Sequence, residues 1–221
     1  MNRPSRGLRS DGETTRSRIL EAAGELFAAR GYAETTNKAV AARAQVDLAS
    51  INYHFGTRGN LYQRVLTTAH GRLLGVAELR QLVESEAAAT AKLRQLIEHV
   101  VARATEEPQA WHLRVIAREV LAPTSHLEVL FLEEASPKIV LVKRLLSNIT
   151  KIPAEDPATT RCLLSVVAPC LMLLVGGRHF PGPLQEVIQM PAATIANHLY
   201  HFAMGGLAAI AEEYHDERPA V

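Results

Sequence analysis

Between Thr35 and Phe55 the chain holds two short runs with apolar residues at helical spacing. Val40, Ala41 and Ala44 share one face of the first, and Ile51 and Phe55, four apart, share one face of the second. Thr36 and Asp47 stand where helix N-caps belong, because their side-chain oxygens can accept from N–H groups of the first turn. The reading is two helices, over about 37–44 and 48–55, joined by a tight turn. In the second, Ile51 and Phe55 serve as anchors, which leaves Leu48, Ala49, Ser50, Asn52, Tyr53 and His54 for the opposite surface. A protein that offers one helix to the DNA major groove needs this division: one face pinned, the other able to reach bases and phosphates.

The flanks continue the pattern. Ile19, Ala23, Leu26 and Phe27 give a helix over about 14–30, which Gly31 stops. Gly56-Thr57 ends the 48–55 helix, and Thr57 can cap the next, over about 58–80. Further helical stretches cover about 88–105, 111–121, 127–148, 157–178 and 191–214, separated at Pro108, Pro123, Pro153/Pro157 and Pro181-Gly182-Pro183. No strand-like alternation or hairpin signal interrupts them. The expected fold is all-α with about nine helices: an N-terminal three-helix unit with the helix-turn-helix, then a larger helical bundle. The expected divisions are a flexible basic arm at 1–12, a DNA-binding domain at 13–60, a sensing and dimerisation domain at 61–215, and a tail at 216–221. The 48% of hydrophobic residues suffices for a sizeable core.

The net charge of +1 is unevenly spread. Residues 1–65 carry ten Lys/Arg against six Asp/Glu, and the remainder carries 14 against 17. A basic segment on an acidic body suits phosphate contact at one end only. Within the helix-turn-helix, Asn52 can make a two-bond contact to adenine, and Leu48 or Ala49 can meet a thymine methyl. Tyr53 and His54 can donate to phosphates. Thr36, Asn37 and Lys38 at the start of the 37–44 helix, and Thr57 and Arg58 at the start of the 58–80 helix, place backbone N–H groups and positive charge for phosphate oxygens.

Residues 14–66 resemble the DNA-binding domain of the TetR family of transcriptional regulators. The resemblance is carried by Leu26-Phe27, Gly31-Tyr32, Thr35-Thr36, Val40-Ala41, Ala44, Val46, Tyr53-His54-Phe55, Arg58 and Leu61-Tyr62. Four positions depart from the family pattern. Gln45 replaces the usual Gly of the turn, Asn52 the usual Tyr, Leu48 a residue that is often polar, and Arg58 a Lys. The run from Ala49 to Tyr62 is most similar to the CecR-like subgroup, and Arg118-Glu119-Val120-Leu121-Ala122-Pro123 resembles that subgroup's C-terminal domain. The resemblance implies a homodimer that binds a double-stranded, palindromic operator and is released by a small-molecule effector, most often as a repressor.

A dimer surface is expected independently, since one helix-turn-helix makes too few contacts for tight specific binding and two spaced along DNA solve this. The helices over 157–178 and 191–214 are apolar beyond a single core-facing stripe. Leu163, Val167, Leu171 and Leu174 in the first, and Ile195, Leu199, Phe202 and Ile210 in the second, are the candidate interface residues. Gly205, Gly206, Ala203 and Ala208 would permit close helix approach. For an effector the candidates are Trp111, Arg114 and Arg118, which share a helix face, together with Cys170; the alternative is that Trp111 is core and Arg118 pairs with a carboxylate such as Glu119 or Glu133.

Other chemistry is not indicated. His198 and His201 lack a third ligand at suitable spacing, so no metal is expected. No nucleophile–base pair, phosphate loop or Cys-x-x-Cys motif points to catalysis or a cofactor. Cys162 and Cys170 fall eight residues apart on one helix, about 12 Å, too far for a disulfide, and a reducing cytoplasm is the natural compartment. Met1–Asp11 has no apolar core, so a secretory leader is not expected. The near-apolar run Cys162–Gly177 is short for a membrane span and reads as a buried helix. The competing functional reading is a helical small-molecule binding or interaction protein without specific DNA readout.

Overall fold

The computed structural model describes residues 6–106, 110–176 and 182–217. Among the described residues every regular element is helical. In chain order these are α1 (Arg6–Glu34), α2 (Asn37–Ala44), α3 (Leu48–Phe55), α4 (Arg58–Leu73), α5 (Val76–Glu84), α6 (Ala89–Glu106), α7 (Trp111–Leu121) and α8 (His126–Leu130). A π-helical turn (Phe131–Ala135) follows, then α9 (Ser136–Thr150), α10 (Pro157–Gly176), α11 (Pro183–Ile188) and α12 (Ala192–Asp216). The all-α reading holds, with differences at the ends of elements. Helix α1 starts at Arg6, so Arg6–Asp11, read as part of a flexible arm, are helical; Met1–Ser5 lie outside the described residues. The helix expected over 58–80 is broken near Gly75, whose extended backbone opens α5. The π-helical turn divides the one expected over 127–148. The expected breaks at Pro108 and Pro181 fall outside the described residues, as do the tail residues 218–221.

The chain forms two compact units. One comprises Met1–Arg72 with Ala110–Leu130, the other Leu73–Gln109 with Phe131–Val221. In the first unit, Ile19, Ala23 and Phe27 of α1 are fully buried, with Val40 of α2, Ile51 of α3, Leu61 and Val65 of α4, and Val115 of α7. Each of these side chains larger than Ala23 contributes about 1.5–3 kcal/mol by leaving water. Helix α7 packs against α1, and Trp111 comes close to the α1 backbone at Gly24. A Cβ there would stand 2.4 Å from Trp111 Cδ2, so only a glycine lets the indole reach the α1 backbone. Trp111 Nε1 donates to Glu21 Oε2 at 2.6 Å, and Arg72 pairs with the same carboxylate while lying 4.8 Å from the indole centroid. The Arg72 hydrogen bonds hold the Glu21 carboxyl below its usual range against the opposing effect of burial, and the Trp111 bond adds to the lowering.

The second unit packs Leu79 of α5, Leu93, Ile97 and Val101 of α6, Leu145 and Leu146 of α9, Cys162 and Leu173 of α10, and Ile195 and Leu207 of α12. Asp156 organises the entry to α10: its Oδ1 accepts from the Ala158 N–H at 2.8 Å, and its Oδ2 accepts from the Tyr214 hydroxyl of α12 at 2.8 Å. Helix α10 corrects one expectation. It runs through Pro169 as a continuous helix, yet it is not a buried helix. In its Pro157–Leu174 stretch, with a mean hydropathy of 1.6, only 39% of the residues are buried. By length and composition that stretch could also cross a bilayer. Among the described residues its surplus apolar surface includes Leu164, 67% exposed, and Met172, 50% exposed.

Candidate nucleic-acid interface

The caps that the sequence requires are formed. Thr36 Oγ1 accepts from the Ala39 N–H at 3.2 Å, Asp47 Oδ1 from the Ser50 N–H at 2.7 Å, and Thr57 Oγ1 from the Asn60 N–H at 3.1 Å. Between α2 and α3, Gln45 adopts the left-handed conformation, φ 54° and ψ 48°. This is the position where a Gly is conformationally easier. Arg18 of α1 secures the turn by donating to the carbonyls of Ala44 at 2.6 Å and Gln45 at 3.2 Å. Arg43 of α2 pairs with Glu25 of α1. The helix-turn-helix is thus pinned by side chains of α1 as well as by its apolar face.

Helix α3 is divided as the spacing demands. Ile51 and Phe55 are buried, while Leu48 is 47% and Tyr53 86% exposed, and Ala49 and Asn52 are exposed beside them. A large aromatic so far out of the core gains little from its own fold by burial. His54 is half-buried and sits edge-on to Tyr53, centroids 5.0 Å apart. Ser50 donates its hydroxyl proton to Asp47 Oδ1 at 2.6 Å, so toward DNA it is left as an acceptor. The same two bonds from Ser50 hold the Asp47 carboxyl below its usual range. Asp47 therefore adds a second acceptor at this end of the helix, which cap reasoning alone did not bring out. Helix α3 has no Lys or Arg. Donors to guanine O6 and N7 are scarce on it, and its edge suits adenine and cytosine amino groups and thymine methyls.

The remaining candidates divide into exposed and committed groups. Thr36, Lys38 and Thr57 are exposed, and Asn37 is half-buried. Arg58 is half-buried, lies over the Tyr32 ring at 4.4 Å and donates to the Thr35 carbonyl at 3.2 Å. Its charge is engaged at the junction of α1 and α2, while the side chain stays partly exposed. Sequence reasoning missed the cluster behind it. Tyr62 is buried against Phe27 and Tyr32, centroids 4.7 and 4.8 Å, and donates to Glu119 Oε2 at 2.6 Å. Burial, reinforced by Glu119, pushes the phenol pKa well up, so it stays a donor. His126 meets Tyr32 and Tyr62 edge-on, and its Nδ1 lies 3.1 Å from Gln63 Oε1. Tyr62 and Glu119 each stood in a motif quoted from the sequence, but nothing local indicated that they meet.

Two of the effector candidates, Trp111 and Arg118, have structural partners. Trp111 is buried with its N–H on Glu21, Arg118 donates to backbone carbonyls of α1, and Arg114 is half-buried. Cys170, in the second unit, is buried, and that burial pushes its thiol up to about 11. Glu119, named as a partner for Arg118, instead accepts from Tyr62 and Thr124. Among the dimer candidates, Phe202 is 72% exposed and Leu171 is exposed, joined by Leu164 at 67% and by Gly205 and Gly206, which face open space. Leu163, Val167, Leu199 and Ile210 are half-buried. Leu174 and Ile195 are buried in the protomer's own core, so their side chains offer no surface to a partner. His198 and His201 are exposed on α12, and no group of three metal-ligating side chains occurs among the described residues.

Comparison with known proteins agrees with this geometry. Residues 89–210, more than half the chain, match the family described as HTH-type transcriptional dual regulator CecR, C-terminal domain. Residues 19–65 match the bacterial regulatory proteins of the tetR family. The chain is 40% identical over 94 residues to an HTH-type transcriptional repressor of Mycobacterium tuberculosis, a stretch covering 42% of this chain and 47% of that protein. It thus spans about half the length of the curated relative it matches. In fold it is similar to a TetR-like transcriptional regulator from Rhodococcus sp. RHA1, with a TM-score of 0.66, 17% identity, and 93% and 99% of the two chains covered. It is also similar to the regulator FadR from Bacillus subtilis, solved in complex with stearoyl-CoA, with a TM-score of 0.65, 13% identity, and 86% and 98% covered.

Proposed function

Because the chain belongs to the TetR family of bacterial regulatory proteins, with a C-terminal domain of the CecR kind, we propose that it is a dimeric, ligand-responsive repressor. Each protomer lays α3 in a major groove of a palindromic operator, and a small molecule bound by the second unit releases the DNA. The single observation that carries this reading is the outer face of α3. Leu48, Ala49, Asn52 and Tyr53 are exposed together on a helix whose other face is locked by Ile51 and Phe55. Asn52 reads a base, Leu48 and Ala49 meet thymine methyls, and Tyr53, His54, Lys38 and the N-terminal turns of α2 and α4 hold phosphates. The exposed apolar faces of α10 and α12, with Leu164, Leu171, Phe202 and the two open glycines of α12, support pairing with a second copy. An intracellular reader of DNA works in the cytoplasm.

For release, the effector must bind the DNA-incompetent state better than the competent one, by a factor equal to its effect on operator affinity. The test is a gel shift against the DNA flanking the chain's own gene, repeated across salt concentrations. Tyr53→Ala should weaken all duplexes alike, and Lys38→Ala should weaken them alike and also lower the salt dependence. Asn52→Ala should relax base preference at one position per half-site, a loss of about 1–3 kcal/mol of discrimination. Equal loss at every base on Asn52→Ala sinks its reading role. Absence of any salt-sensitive, sequence-preferring complex favours a helical binding protein without DNA readout.

A further inference from the structure

The motif Arg118-Glu119-Val120-Leu121-Ala122-Pro123 lies at the end of α7 and contains no residue assigned to DNA. Its first two residues nonetheless grip the two helices between which the helix-turn-helix is slung. Helices α2 and α3 form one excursion of chain, which leaves α1 beyond Gly31 and rejoins α4 through Gly56. On the α1 side, Arg118 Nη1 donates to the carbonyls of Ala28 and Ala29, both at 3.4 Å. Gly31 makes room for it: a Cβ there would stand 2.8 Å from Arg118 Nε, and its φ of 82° is a glycine conformation.

On the α4 side the grip is Glu119, which is 1% exposed. Its Oε2 accepts from the Tyr62 hydroxyl at 2.6 Å, and its Oε1 accepts from the Thr124 N–H at 2.9 Å and the Thr124 hydroxyl at 2.8 Å. A carboxylate this deep is tolerated only when such donors satisfy it. From Tyr62 the contacts continue through Tyr32 to Arg58 and the Thr35 carbonyl, immediately before the cap of α2. For stability alone, an apolar residue of similar volume serves a buried site at least as well as a charge. What a directional, charge-assisted bond adds is a fixed geometry.

The geometry points to Arg118 and Glu119 as positioning residues for DNA reading: consecutive residues of α7 clamp the entry to and the exit from the helix-turn-helix and thereby set the angle at which α3 is offered. This rests on the DNA-reading function proposed above. The variants to test are Tyr62→Phe and the milder Glu119→Gln in the full chain, each at a temperature where circular dichroism shows it folded. The probes are a duplex selected by the wild-type chain from a random library and a shuffled duplex of the same length. The expected result is a fall of about tenfold in the preference for the selected duplex. Binding to the shuffled duplex, set by phosphate charge, should stay within about twofold. Amides of residues 37–55 should exchange faster with solvent. A merely structural role lowers binding to both duplexes together and leaves the preference intact, and that result overturns the proposal. Should the wild-type chain select no sequence at all, the DNA reading falls. Amide exchange then decides the clamp separately, and unchanged protection over 37–55 overturns it.

Discussion

Replacing Gly24 by Ala should destabilise the first unit, although the same change in an open helix is stabilising. Alanine gains about 1 kcal/mol over glycine in a helix interior. At Gly24, however, the new methyl would lie 2.4, 2.5 and 2.7 Å from three indole carbons of Trp111, against an ordinary carbon–carbon separation of about 3.5–4.0 Å. The indole must therefore move by roughly 1 Å. It has little freedom to do so, being buried, bonded to Glu21 and faced by Arg72. Overpacking of this kind costs about 1–3 kcal/mol. Loss of a hydrogen bond to a charged group adds about 1.5 kcal/mol at the partly exposed end of its range. After the helix gain, the net loss is about 1.5–3.5 kcal/mol, or a fall in Tm on the order of 3–14 °C for a chain of this size. Thermal melts followed by circular dichroism measure it. Gly71→Ala is the internal control, since that glycine of α4 has nothing within 4 Å of the added Cβ and its replacement should raise stability by about 1 kcal/mol. In the Gly24→Ala background, Trp111→Leu should cost less than it does alone. If Gly24→Ala melts at or above the parent temperature, the account of α1 packing on α7 is wrong.

Gln45→Gly removes a left-handed residue that is not glycine, and should raise stability by a few tenths up to about 1 kcal/mol in urea titration, reduced by the greater freedom of glycine in the unfolded chain. Because Glu21 titrates below its ordinary 4.5 in the folded chain, its contribution is complete above pH 4.5 and is lost as pH falls through the lower, folded value. Melts between pH 5 and 3 should show this loss, and Glu21→Gln should flatten it. Phe202→Asp places a charge on the exposed apolar face of α12 and should shift sedimentation toward the monomer while leaving the helical signal unchanged; an unaltered sedimentation coefficient would remove that face from the interface.

The helical content and the helix-turn-helix were legible because both are written in local signals. Ile51 and Phe55 at i and i+4, with Asp47 at the N-cap and Gly56 at the C-cap, fix α3 without reference to the rest of the chain. What was illegible depends on meetings between distant residues. Trp111 looked like a ligand platform because an aromatic beside arginines has that chemistry, and only the fold reveals that Gly24, far upstream, is the slot it fills. Glu119 was considered as a partner for its neighbour Arg118, whereas burial beside Tyr62 decides where its charge is satisfied. For the same reason Leu174 and Ile195 could not be told from Leu164 and Phe202: periodicity marks a helix as apolar on more than one side, and it does not say which side its own protomer covers.

The first unit is discontinuous, and this has a consequence for the order in which the protein is made. Its N-terminal segment ends at Arg72, but the groove at Gly24 is filled by Trp111 and the hydroxyl of Tyr62 is bonded by Glu119, both from Ala110–Leu130. At about 5–20 residues per second, the ribosome needs roughly 3–12 s to pass from one to the other. Throughout that interval the nascent DNA-binding module has an open apolar slot, and its exit helix is untethered. On the clamp proposed here, a fragment that ends before Ala110 would have the reduced sequence preference of the unclamped variants, and the full preference would be set only once synthesis has gone past Leu130.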